Sequence, residues 1–440
     1  AGQSLMSDIP QSGRIVKRDQ IDSLGLKIWT LSNGITMILK PTDFKNDEIL
    51  MGAFSPGGHS LIEDDRYVPA ATAASLVNES GLGAFDKIQF NKLLAGKLVR
   101  VNAWIGELQE GLSGNSTPQD LETMFQLIHL YFTQPRLDST AFMSFQSRMK
   151  AYLQNRSSSP EECFEDTIDV TLSQNHLRAR PFNAETLDRM DIQQSASIYR
   201  DRFAEAGDFT FILVGNLDLT IVSQLAERYL ASLPTSHRKE SWKDREINPP
   251  VGIIEKSLKK GIEPKSMVRI IYSGPHTWSQ ADNYRLGSLV QVMQIKLREA
   301  IREDKGGTYG VQVNQSIAQY PDPEYAISIS FGCDPKRVNE LTQTIFQIID
   351  STQQFPIKAD YIEKVKEIQR RERETNLKEN RFWLSILQSY FWNGMDPMLI
   401  LQYNKLVESL TPAMIQQTAR EVFNPRRYVK VVLYPETQSE

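Results

Sequence analysis

The chain has 440 residues, 40% of them hydrophobic and 24% charged, with a formal net charge of −4. That length can bury two full cores without disulfide or metal staples, and the slight acidity argues against nucleic acid as the main partner, because phosphate binding calls for a basic stripe. No apolar run approaches the roughly 18 residues of a membrane-spanning helix.

Residues 1–13 end in Pro10 and Gly13 without periodicity and read as a leader or linker. A chain that opens Ala1-Gly2 is expected to be processed or excised from a longer one. Strand signals follow: Leu26 to Leu31, a turn at Asn33-Gly34, then Ile35 to Leu39. Asn-Gly between two such runs is a strong hairpin signal. A third apolar run, Ile49 to Phe54, leads into Gly57-Gly58, and a helix is expected after Pro69. A further helix has its start chemistry at Thr117 (N-cap), Pro118 and Asp120. Leu121, Met124, Phe125, Ile128 and Phe132 keep a helical period until Pro135 stops it. Residues 234–250, charged and carrying Asn248-Pro249-Pro250, read as a linker.

The second half restarts with a strand at Met267 to Tyr272. A helix from Lys358 to about Lys378 carries Arg370, Arg371, Glu372, Arg373 and Glu374, a charge run that suits a solvated face with i,i+4 pairs. The end of the chain then repeats its middle. Arg200 to Phe203 followed by Phe209 to Val214 reads as helix, turn and strand, and so does Arg420 to Phe423 followed by Val429 to Leu433. Phe203 matches Phe423, Phe211 matches Val431 and Leu213 matches Leu433, each 220 positions apart (423 − 203 = 220). Too long for a solenoid unit, this repeat fits a duplicated domain. The expected fold is therefore α+β, with two homologous modules that each cover an antiparallel-rich sheet with helices. The first spans 14–233 and the second 251–440, joined by 234–250. Cys163 and Cys333 fall in different modules, as two thiols or one cross-link, the thiol being the commoner state.

Taken together, these residues resemble the insulinase/pitrilysin family of zinc peptidases. The resemblance runs through Leu31-Ser32-Asn33-Gly34, Gly57-Gly58, Tyr199 to Phe203 with Val214-Gly215-Asn216, and Leu297 to Val313. It implies paired α+β domains, two per half, and two halves closing around a chamber that holds a peptide substrate. One half carries zinc; this chain is most similar to the other, the second half of the long bacterial members. The active half has His-x-x-Glu-His on a helix, where two histidines four apart bind the metal and the Glu polarises water. Aligned on that helix, Ala71 to Gly81 puts Thr72 and Leu76 at the histidine positions and Ser75 at the base. The later helix that would supply a third ligand reads Arg148 to Arg156 without a carboxylate. His59, His129, His176, His237 and His276 are scattered, no two of them three to five residues apart, and His59 beside the glycine pair is the one to watch. The chain is therefore expected to bind no zinc and to have no peptidase activity alone. The resemblance implies that zinc is held by a homologous partner half, on the same polypeptide or a separate subunit.

Arg302 to Val311 matches a helix end, glycine turn and strand of the zinc-free half. There an Arg and a Tyr seven apart reach toward the bound substrate, which carries over to Arg302 and Tyr309 as substrate-binding residues. Guanidinium donors can hold carbonyls, and a phenol can stabilise an oxyanion. The residues alone also suit an ordinary charged helix face and a strand in which Tyr309, Val311 and Val313 alternate. The resemblance further implies the periplasm, with the export signal on a preceding half. The leading reading is a non-catalytic peptidase half. The alternative is a catalytically silent scaffold or peptide-binding subunit of a larger complex.

Overall fold

The computed structural model describes residues 4–303 and 308–436, and of residues 302, 303, 308 and 309 the backbone alone. The first sheet contains β1 (Ile15–Ile21), β2 (Leu26–Leu31), β3 (Thr36–Pro41), β4 (Ile49–Pro56), β5 (Arg100–Ile105), β6 (Gln109–Ser116) and β7 (Thr210–Gly215), in the order β1-β2-β3-β7-β4-β6-β5. β2 and β3 form the expected hairpin, Lys27 opposite Leu39. Gly34 turns at φ +98°, a conformation that favours glycine. All pairings are antiparallel except β3 with β7. One face packs on the helices Tyr67–Glu79 and Leu121–Thr133 around an aromatic centre. There Phe132 meets Phe209 edge-on at 4.8 Å, and Tyr199 stacks on Phe203 at 4.4 Å.

Two helix starts differ from expectation. The first helix begins at Tyr67, two residues before Pro69. A proline in the first turn forfeits nothing there, because the first four N–H groups have no intrahelical acceptor. The helix expected from Thr117 begins at Leu121 with Asp120 at its N-cap. Thr117 Oγ1 instead accepts from the Asp120 N–H at 3.2 Å, in the turn ahead of the helix.

The second sheet contains β8 (Ile253–Lys259), β9 (Ser266–Pro275), β10 (Thr308–Ala318), β11 (Glu324–Cys333) and β12 (Tyr428–Tyr434), in the order β10-β11-β9-β12-β8. Only β12 with β8 is parallel. Leu297, Leu341 and Ile415, from the helices Gln280–Glu303, Val338–Gln354 and Pro412–Val422, share a core with Ile270 and Ile329 of the sheet. Both cysteines are free thiols, Cys333 buried and Cys163 half-buried.

The compact units do not follow the chain as two continuous stretches. The first gathers residues through Leu153 with Phe182–Arg245 and Glu374–Met398; the second gathers Gln154–Pro181, Glu246–Arg373 and the chain from Leu399. The helix Pro160–Leu172 thus belongs to the second unit, where Phe164 and Ile168 pack on Ile271, Val429 and Val431. The helix Asn380–Trp392 belongs to the first, lying on β4 and β7. Gly52 makes room for it, since a Cβ there would sit 2.1 Å from the Gln388 side chain. Each helix covers the sheet face left open by its unit's main helices, and the two start 220 residues apart (380 − 160 = 220).

Residues 234–250 have no regular secondary structure, yet the stretch to Arg245 is pinned. The buried Glu205 carboxylate accepts from Ser236 N and Oγ (2.7 Å each), Arg238 N (3.1 Å) and Thr235 Oγ1. Burial alone would raise its pKa, but those donors outweigh it and hold the carboxyl at about 2.

Candidate functional site

The helix Tyr67–Glu79 stands where the resemblance puts a metal helix. Thr72 is buried and its Oγ1 donates back to the Val68 carbonyl at 2.8 Å, which satisfies the hydroxyl within the helix. Leu76 is 1% exposed and packs with Tyr67, Val68, Leu187 and Met190. Ser75, on the outer face, is exposed. This trio offers no imidazole or carboxylate and does not fit zinc. From the later helix, Ser139–Arg156, Arg148 reaches Glu79 at 3.0 Å, so a cation meets this helix rather than a third ligand. Among the described residues, no three His, Cys, Asp or Glu side chains cluster as a metal site. His59 meets Tyr67 edge-on at 5.2 Å.

The loop before this helix is held by a group that sequence reasoning missed. Glu110 of β6 is buried, and its Oε2 accepts from the Gly58 N–H at 2.6 Å. Arg202, also buried, lies 3.9 Å from it but is committed to Glu240 through two bonds of 3.0 Å. Gly57, at φ +144°, makes room, because a Cβ there would lie 2.5 Å from Arg202 Nη1. Burial raises the Glu110 carboxyl to about 8, against the opposing pull of Arg202 and the Gly58 N–H. Only the glycine pair hinted at a crowded corner; nothing in the β6 sequence marks its Glu as buried.

The second sequence site spans a helix and a strand. Arg302 is the penultimate residue of the helix Gln280–Glu303, and Tyr309 is the second of β10. Their side chains lie outside the described residues. The β10–β11 register shifts between Thr308 and Val311.

One side chain ties this helix to this strand. Gln294 Nε2 donates to the Val311 carbonyl and its Oε1 accepts from the Val313 N–H, both at 2.9 Å. The first unit repeats the device: Asn78 Nδ2 donates to the Ala103 carbonyl (2.8 Å) and its Oδ1 accepts from the Ala103 N–H (3.0 Å). β5 and β10 are the edge strands of their sheets, so each amide stands in for a missing neighbour strand at that point.

Comparison with known proteins places the fold. Residues 191–369 match the family model of the peptidase M16 inactive domain. In sequence the chain is similar to the probable zinc protease PqqL of Haemophilus influenzae, 25% identical over 414 residues, covering 92% of this chain and 43% of that protein. In fold it is similar to the periplasmic protease PqqL from Escherichia coli, with TM-score 0.84 and 19% identity over 99% of this chain and 48% of that one. It is also similar to a peptidase M16 inactive domain from Pseudomonas fluorescens, with TM-score 0.76 and 14% identity over 95% of this chain and 100% of that one. The chain spans less than half the length of the curated relatives it matches.

Proposed function

We propose, from a chain homologous to PqqL zinc proteases and to the inactive halves of M16 peptidases, that it works by completing a peptidase whose zinc sits in another half. The observation that carries this reading is the helix Tyr67–Glu79, where Thr72 and Leu76 are satisfied or packed at the ligand positions. The zinc of the partner half would polarise water against the scissile carbonyl. This chain supplies part of the chamber wall and, from its second unit, Arg302 and Tyr309 toward the peptide. Arg302 anchors a substrate carbonyl, and the Tyr309 hydroxyl donates to the oxyanion formed on attack. Gln294 supports both by fixing their helix to their strand. The compartment we propose is the periplasm, by analogy with the Escherichia coli relative. The common five-strand order, the paired amide clamps and the 220-residue offset support descent of the two units from one duplicated domain.

The test is kinetic. In the assembled enzyme, Tyr309→Phe is expected to lower turnover by roughly 10²–10³, the scale of one oxyanion donor. Arg302→Ala raises KM as well, because a ground-state anchor goes too. A lowered Tm with unchanged turnover for both variants would make them structural residues and favour the scaffold reading.

A further inference from the structure

The helix Asn380–Trp392 lies over β4 and β7, and beside it a cleft of about 820 Å³ opens over β5 and β6. Its floor follows from strand register. Arg100 stands opposite Asn115, and Asn102 opposite Ser113. Val101 and Ala103, the alternate positions, are buried in the core. Four polar side chains therefore share the outer face of two neighbouring strands. Arg381 of the helix forms one wall.

These groups are unspent. Among the described residues, the guanidinium groups of Arg100 and Arg381 have no ion-pair partner, and the side chains of Asn102, Ser113 and Asn115 make no hydrogen bond. By contrast, Glu48 at the end of the cleft is engaged with Lys45 (3.2 Å) and with Asn380 (2.8 Å). Asp47 is the remaining carboxylate of the lining, so the free charge is net positive. Side-chain amides can bridge the N–H and C=O groups of an extended chain, and guanidinium forks take carboxylates bidentately. A nucleic acid would need a longer run of phosphate-neutralising cations.

We propose that this cleft binds an extended acidic peptide, with its carboxylates on Arg100 and Arg381 and its backbone on Asn102, Ser113 and Asn115. This rests on the chamber-wall reading above and deepens it by naming the class of peptide taken: segments rich in Asp and Glu.

The experiment uses the 440-residue chain and fluorescence anisotropy of a labelled peptide of alternating Glu and Thr, against the same peptide with Lys for Glu. Alternation presents every carboxylate to one side of an extended chain. The Glu peptide is expected to bind saturably, at least about tenfold tighter than the Lys peptide, and to weaken by about tenfold in Arg100→Gln/Arg381→Gln. Both arginines are exposed, so an unchanged melting curve should show that the variant folds. Arg370→Gln/Arg371→Gln, on an exposed face of the second unit, removes equal charge and should leave binding intact. No binding, equal binding of both peptides, or equal loss in the two double variants would overturn the proposal. A failed cleft would leave the Tyr309→Phe turnover result standing, and a failed peptidase reading would leave this binding standing, so the two outcomes are distinguishable.

Discussion

Glu110 keeps a proton in the folded chain that it would give up when unfolded. Its neighbours are Arg202, which Glu240 already engages, the carboxylates Asp201 and Glu240, and the Gly58 N–H. Because its pKa rises from 4.5 to about 8 on folding, the folded state holds more protons between those values. Its contribution is therefore full at low pH and is lost as pH climbs toward 8. Glu110→Gln keeps a Gly58 acceptor but removes the titration. The variant should gain on the wild type by about 1–3 kcal/mol between pH 5 and pH 8 in paired urea melts. A constant loss at both pH values would show instead that an ionised Glu110–Arg202 pair stabilises the chain. At this scale the sequence was uneven. Alignment offered Thr72, Ser75 and Leu76 as candidates because a metal helix has fixed spacing, whereas Glu110 gave no signal, since burial of one carboxylate depends on neighbours 52 and 92 positions away (110 − 58 and 202 − 110).

Asn78 and Gln294 each bind one helix to one edge strand, and each holds a backbone N–H that would otherwise face outward. Replacing either with Ala should cost about 1–2 kcal/mol, the scale of hydrogen bonds lost with partners left unpaired. Amide exchange checks it locally: Asn78→Ala should speed exchange at Ala103, and Gln294→Ala at Val313, with the remaining ladders still protected. Uniformly faster exchange would mean that the clamps set global stability rather than local order. At the scale of elements, runs with turn chemistry or a helical period were legible, including the β2–β3 hairpin and the helix Leu121–Thr133. β1 and β8 were not, because edge strands with exposed charged residues such as Lys17, Arg18, Glu255 and Lys256 lack an apolar face. The helices Pro160–Leu172 and Asn380–Trp392 were not read from the sequence either. An apolar stripe shows that a helix is buried but does not say against which sheet.

The two sheets share one plan. β3-β7-β4-β6-β5 in the first corresponds strand for strand to β8-β12-β9-β11-β10 in the second, each with a single parallel pair. The 220-residue offset at the closing helix and strand was the visible trace of that plan, since Phe203 and Phe423 are both buried where a helix ends. What the sequence concealed is that the units trade segments, so a single linker could not divide them. At the scale of the whole molecule, the proposed role is to complete a peptidase whose zinc sits in another half. Its most direct test joins metal analysis with reconstitution. The purified chain, alone and then mixed with a homologous zinc-bearing half, is assayed for bound zinc and for cleavage of a quenched fluorescent peptide. The expected result is no stoichiometric zinc and no cleavage from the chain alone, and cleavage on mixing that the zinc-bearing half does not reach by itself. About one tightly held zinc per isolated chain, as a three-ligand site would give, or cleavage by the chain alone, would contradict it.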